Sequence, residues 1–151
     1  MKKLPDIFAA WAISLWVGGL WAVGYLAAPI LFYSLDNRTL AGVVAGKMFT
    51  AIAWVSIVCA VWLLMFRLFR FGGTALKQSF FWIVILMLML ALSGHFGIQP
   101  ILAHLKEAAL PKDVMTSLFR DRFVAWHGVS SIVYLIQSLL GLFLLAKQHS
   151  R

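Results

Sequence analysis

The sequence predicts an all-α integral membrane protein, a four-helix bundle running up-down-up-down with a short interfacial helix before the fourth span. Three observations carry that expectation. Hydrophobic residues make up 63% of the 151-residue chain and charged residues only 12%, far from the balance of a soluble globular domain. Four apolar stretches, residues 7–33, 43–66, 80–102 and 123–145, each reach the roughly 20 residues that a helix needs to cross the hydrocarbon core. The joints between them are short, which favours antiparallel neighbours. Such stretches are helical because the bilayer interior offers no water to unpaired backbone groups. One domain, residues 1–151, takes in all four spans.

The first stretch follows MKKLPDIF and could be mistaken for a secretory signal. Its length exceeds the roughly 7 to 15 residues of a signal's apolar region, so it reads as a retained span. Within it Ser14, Gly18, Trp21, Tyr25 and Ala28 share a stripe, and Pro29 stands where a kink would open the far half. The second stretch brings Gly42, Gly46, Ala53 and Ala60 close to one face. Gly42 and Gly46 form a GxxxG pattern that allows close backbone approach, within the bundle or between copies in a homo-oligomer. In the third, SGHFG sets Ser93 and Gly97 at a small-xxx-small spacing. In the last joint Pro111 can open a helix, and Val114, Leu118 and Phe119 follow at helical spacing, as in an anchor lying at the headgroups.

The net charge of +8 is spread over short loops with no dense basic run. It suits the anionic headgroups of a lipid bilayer and gives no reason to invoke nucleic acid. Placing both termini in the cytoplasm of a bacterium, with the chain in the inner membrane, puts Lys2, Lys3, Arg67, Arg70, Lys77, Lys147 and Arg151 inside. Arg38, Lys47, Lys106, Lys112, Arg120 and Arg122 then lie outside, with Asp36, Glu107, Asp113 and Asp121. Cys59 is the single cysteine, so an internal disulfide and a CxxC motif are excluded. No carboxylate pair within the spans, phosphate-binding glycine loop or nucleophile elbow is present, which argues against soluble-type hydrolase or transferase chemistry. Lys47 can snorkel to the interface, and His104 and His149 stand at span ends, where solvation is the ordinary case.

Polar residues inside the fourth span need a reason. At 100° per residue, Ser131, Tyr134, Ser138 and Gly141 all lie within about 40° of His127. A line of this kind is expected to face inward. Its counterpart on the third span is His95, with Gln99 one turn further on. Hydrogen bonding between helices is the commoner use of such groups. A haem or copper site on His95 and His127, with Met48 as a soft ligand, is the alternative, and a small-solute path is another.

The segments GGLWAVGYLAAPILF, LAGVVAGKMF, GIQPIL and FVAWHGVSS, in that order, resemble the transmembrane protein 205 like family, also called domain of unknown function 4149. Matching positions are Gly19, Pro29, Phe32, Gly42, Gly46, Phe49, Pro100, Phe123, His127 and Ser130. The resemblance implies an integral membrane protein without an assigned reaction, some relatives being linked to metal or drug resistance. SLWVGGLW is also similar to the copper resistance D proteins and to the haem-binding four-helix protoporphyrinogen oxidases. Those families place a histidine about two turns before that tryptophan, where this chain has Ala9. The likeness therefore implies no first-helix ligand here and leaves His95 and His127 as the intramembrane imidazoles.

Overall fold

The computed structural model describes residues 4–149. Lys2, Lys3, Arg151 and the His149 side chain, weighed above, lie outside that description. Four helices are long and apolar enough to cross a membrane: α1, Leu4–Ser34; α2, Arg38–Lys77; α3, Ser79–Ala109; and α4, Arg120–Lys147. The described residues contain no strand.

Every helix runs past the apolar stretch that announces it. Apolarity marks the part in hydrocarbon, whereas helical hydrogen bonding continues into the headgroup layer until a residue stops it. Asn37 starts α2, its side chain accepting the Leu40 N–H at 3.0 Å and pairing a donor that the helix itself cannot. Gly72, at φ 53°, ends the regular α-helix after Phe71 in a conformation that glycine adopts without strain. A 3-10 stretch, Gly72–Lys77, then leads to α3, so the second joint is helical almost throughout. The helix expected before α4 is one 3-10 turn, Val114–Thr116, started by the Asp113 carboxylate, which accepts the Met115 N–H at 2.8 Å.

Each helix packs on the next, and α4 closes the square against α1. Neighbours are antiparallel, as contacts at the two ends show. At the end holding the chain termini, Arg70 of α2 pairs with Asp6 of α1 at 2.5 Å, Arg67 donates to Gln78 at 2.9 Å, and Lys147 of α4 meets Ser79 of α3. At the far end Lys106 of α3 reaches Gly42 of α2.

The core lies toward the termini, where Ile13, Trp16 and Val17 pack on Cys59, Ala60, Leu63, Phe80, Val84 and Leu144. Large apolar side chains also cover the outside, with Trp11 and Val58 each 64% exposed. Such a surface would be a liability in water and is the ordinary face of a helix in lipid.

Two breaks interrupt the far half. Residues Ala22–Ala27 of α1 and Ser93–Ile98 of α3 form π-helical turns, followed at the same spacing by Pro29 and Pro100. Proline brings no N–H and its ring crowds the carbonyl four residues back, so the preceding turn widens to relieve the clash. Beyond its break, the last part of α1, Ala28–Ser34, packs on α2.

Candidate functional site

Beside the break in α3 the bundle leaves a gap. A cavity of about 60 Å³ lies chiefly between α2, α3 and α4, room for a few waters at about 10–15 Å³ each. Its polar lining is Ser56 of α2, His95 and Gln99 of α3, and Ser130, Tyr134 and Gln137 of α4. Leu20, Phe49, Ile52, Leu90, Ile98 and Val133 supply most of the apolar wall. Ala91 and Gly94, also on the lining, are too small to fill the space that the widened turn opens.

The lining of α4 follows a seam that the polar line of that helix does not predict. Phe123, Ser130, Gln137 and Leu144 recur every seven residues, a spacing that drifts only about 20° per repeat and so stays on the packed face. Gln137 is 5% exposed and its Nε2 donates a long bond of 3.4 Å to the Met87 carbonyl. Ser56 is fully buried and donates to the Ile52 carbonyl at 2.7 Å. His95 meets Trp54 edge-on at 5.4 Å and Phe96 at 4.7 Å, while its Nδ1 is buried without a hydrogen-bond partner. A buried nitrogen of that kind carries an uncompensated desolvation cost.

The matching break in α1 is filled. Tyr134 donates its hydroxyl to the Leu20 carbonyl at 2.6 Å, and a Cβ on Gly24 would overlap the Tyr134 ring. Phe49 meets that ring edge-on at 5.3 Å. Tyr25 donates to Ser138 Oγ at 3.0 Å, and Ser138 donates to the Tyr134 carbonyl at 2.9 Å.

The expected inward line of α4 therefore divides. Tyr134, Ser138 and Gly141 turn toward α1, where the sequence suggested α3. His127 and Ser131 are exposed, with Ser131 donating back to the His127 carbonyl at 2.9 Å. The reason is geometric. His127 sits about 80° around α4 from Gln137, on a flank whose burial depends on a neighbour. Near the core α1 covers that flank, whereas beyond its π turn the end of α1 leans on α2.

His127 is not on the cavity wall that His95 lines. The His127 ring stacks on Phe123 at 5.7 Å and 11°, and Met48 is not on the cavity wall. Among the described residues no three His, Cys, Asp or Glu side chains converge as a ligand set. A cavity of about 60 Å³ is well below the several hundred Å³ that cofactor-sized pockets occupy.

The motif positions scatter over the structure with distinct local roles. Pro29 and Pro100 follow the two breaks, Phe49 and Ser130 line the cavity, and Gly19 faces the tip of Ile52. Gly42 is buried under the Lys106 side chain, and no atom lies within 4 Å of where a Gly46 Cβ would stand. Within the chain Gly42 thus meets α3 through Lys106, whereas a side chain at Gly46 would find open space. Phe32 is 48% exposed. Ser14, Gly18, Ser93 and Gly97 face outward as well, so the small-residue pair of α3 marks no packing seam inside the bundle. The stripe of α1 packs only in its far part, where Ala28 is buried and Tyr25 bonds to Ser138.

Lipid-facing helices around a small polar cavity define a polytopic integral membrane protein. The chain belongs to the family described as Domain of unknown function (DUF4149), which matches residues 11–111. Phe123, His127 and Ser130 lie beyond the matched residues. No curated protein and no solved structure matches the chain.

Proposed function

We propose that this protein binds a small uncharged polar molecule inside the membrane, in the cavity between α2, α3 and α4, and catalyses no reaction on it. The six polar residues that converge on that cavity, Ser56, His95, Gln99, Ser130, Tyr134 and Gln137, are the observation that carries this reading. No Asp, Glu, Lys or Arg lines the site, which favours a neutral ligand. Hydroxyl and amide groups that both donate and accept offer it several hydrogen bonds. Keeping so many polar groups within hydrocarbon is costly, and a bound molecule supplies the return.

In this reading the chain sits in a bacterial inner membrane with both termini in the cytoplasm. Its motifs support grouping it with the transmembrane protein 205 like proteins, which they resemble. Passage of the ligand across the bilayer is a second reading, favoured by the break in α3 at the cavity wall, since transporters build solute sites at interrupted helices.

The test is a thermal-shift series on the purified chain with urea, formamide, acetamide and glycerol, run beside Ala91→Leu, which fills the cavity. A ligand of the native chain raises its Tm by mass action and leaves the filled variant unmoved. If all four solutes shift both proteins equally, the reading fails. A stoichiometric haem band or copper signal that disappears on His95→Ala would replace it with the metal-binding alternative.

A further inference from the structure

Lys106 is a half-buried cation near the far end of α3 that has no counter-ion among the described residues. Its ammonium donates to the Gly42 carbonyl at 3.1 Å and lies 5.8 Å from the centre of the Phe123 ring. The carboxylates at this end, Asp36, Glu107, Asp113 and Asp121, make no ion pair with it. A carbonyl dipole uses one of three ammonium donors and does not neutralise the charge. At a membrane boundary such a charge calls for an anion.

The surroundings indicate which anion. Phe123 forms a wall beside the ammonium, and the exposed imidazole of His127 stacks on the same ring at 5.7 Å. Two nitrogen donor groups on adjacent helices thus meet one aromatic side chain, within about two turns of the helix ends. We propose that Lys106 and His127 hold the phosphate of one anionic lipid headgroup beside Phe123. Phosphate oxygens accept charge-assisted hydrogen bonds from Lys106 and a further bond from the imidazole N–H. This site is separate from the cavity and does not depend on the reading given to it.

Native mass spectrometry and thermal shift of the detergent-purified full chain test the proposal with phosphatidylglycerol, phosphatidylcholine and inorganic phosphate as probes. The native chain is expected to retain one phosphatidylglycerol and gain stability from it, while phosphatidylcholine does neither. Lys106→Gln should weaken that binding about tenfold. Lys106→Arg should keep it, and Lys112→Gln, at the same end, should leave it unchanged. A normal elution volume and helical circular dichroism for the Gln variant, with weaker binding in His127→Gln, tie the loss to the site and not to misfolding. Inorganic phosphate that competes shows a free anion reaching the same donors, and binding without competition assigns the site to lipid; both support it. Equal binding of the two lipids, or unaltered phosphatidylglycerol binding in Lys106→Gln, overturns it.

Discussion

The Tyr134 hydroxyl donates to the carbonyl of Leu20 at 2.6 Å, so a side chain of α4 is bonded directly to the backbone of α1. The bond falls at the start of the π turn Ala22–Ala27. There the Tyr134 ring takes the volume that any side chain at Gly24 would need. Tyr25 returns the contact in the opposite direction through Ser138, giving two hydrogen bonds around one glycine. Interhelical bonds of this kind matter more where apolar packing cannot discriminate a helix from lipid.

Gly24→Val is expected to expel the Tyr134 ring and to destabilise the protein by about 1–3 kcal/mol, the usual range for overpacking. Tyr134→Phe, which keeps the ring and loses the hydroxyl, should cost about 1 kcal/mol. Unfolding in mixed micelles measures both. In a Tyr134→Leu background Gly24→Ala should cost much less than in the native chain, because the two residues contend for one space. Equal costs in both backgrounds would show that they do not.

The glycines of this chain should not respond alike. A Cβ at Gly141 would stand 3.1 Å from both methyls of Val17 and 3.6 Å from Met87 Cε, where three helices meet. Gly141→Ala is therefore expected to lower stability, and Gly141→Leu to do so severely. Gly46 has open space beside it, so Gly46→Ala should be neutral or stabilising by up to about 1 kcal/mol through helix propensity. A large loss from Gly46→Ala in detergent at high dilution would contradict this packing. A loss of dimer alone would place Gly46 at an interface between copies.

The ion pair Arg70–Asp6 ties α2 to α1 at 2.5 Å, with the two side chains 36% and 35% exposed. Solvent screening limits such a pair, and Asp6→Asn should change stability by less than about 1 kcal/mol. The effect should shrink further in high salt. A greater loss that salt does not reduce would mean that Asp6 acts through something besides this pair.

Orientation is open to a direct measurement. In a Cys59→Ser background, a membrane-impermeant maleimide applied to intact cells should label Lys112→Cys and spare Gly73→Cys. Both positions lie in joints, at opposite ends of the bundle. Reversed labelling would invert the proposed topology.

Much of the architecture is legible in local sequence. Apolar length marks four spans, and short joints make neighbours antiparallel, because both properties belong to consecutive residues. Pro29 is legible as a break for the same reason, since a missing N–H acts on its own turn. The helix ends are less so: apolar composition falls off before Asn37, Gly72 and Asp113 act as stop and start signals. His95 and Gln99 were both visible as polar groups of the third span, and both line the cavity.

The partners of α4 were not legible. A line drawn at 3.6 residues per turn joins His127, Ser131, Tyr134 and Ser138, yet the packed face follows the seven-residue seam through Ser130 and Gln137. Which of the two is buried at a given height depends on where α1 goes after its π turn, a contact more than a hundred residues away in the chain. Ser130 was visible only as a motif position, and the signal that could have found Gln137 beside it is their spacing from Phe123 and Leu144.

From its sequence by itself the chain is determined to be helical, to live in lipid and to carry its polar groups mainly on the third and fourth spans. These follow from the free energy of single residues and of single helices in hydrocarbon. The tertiary structure alone decided that Tyr134 serves α1, that His95 faces a cavity without His127, and that Lys106 meets Gly42. Those outcomes rest on how two broken helices lean against their neighbours, which no single stretch of sequence encodes.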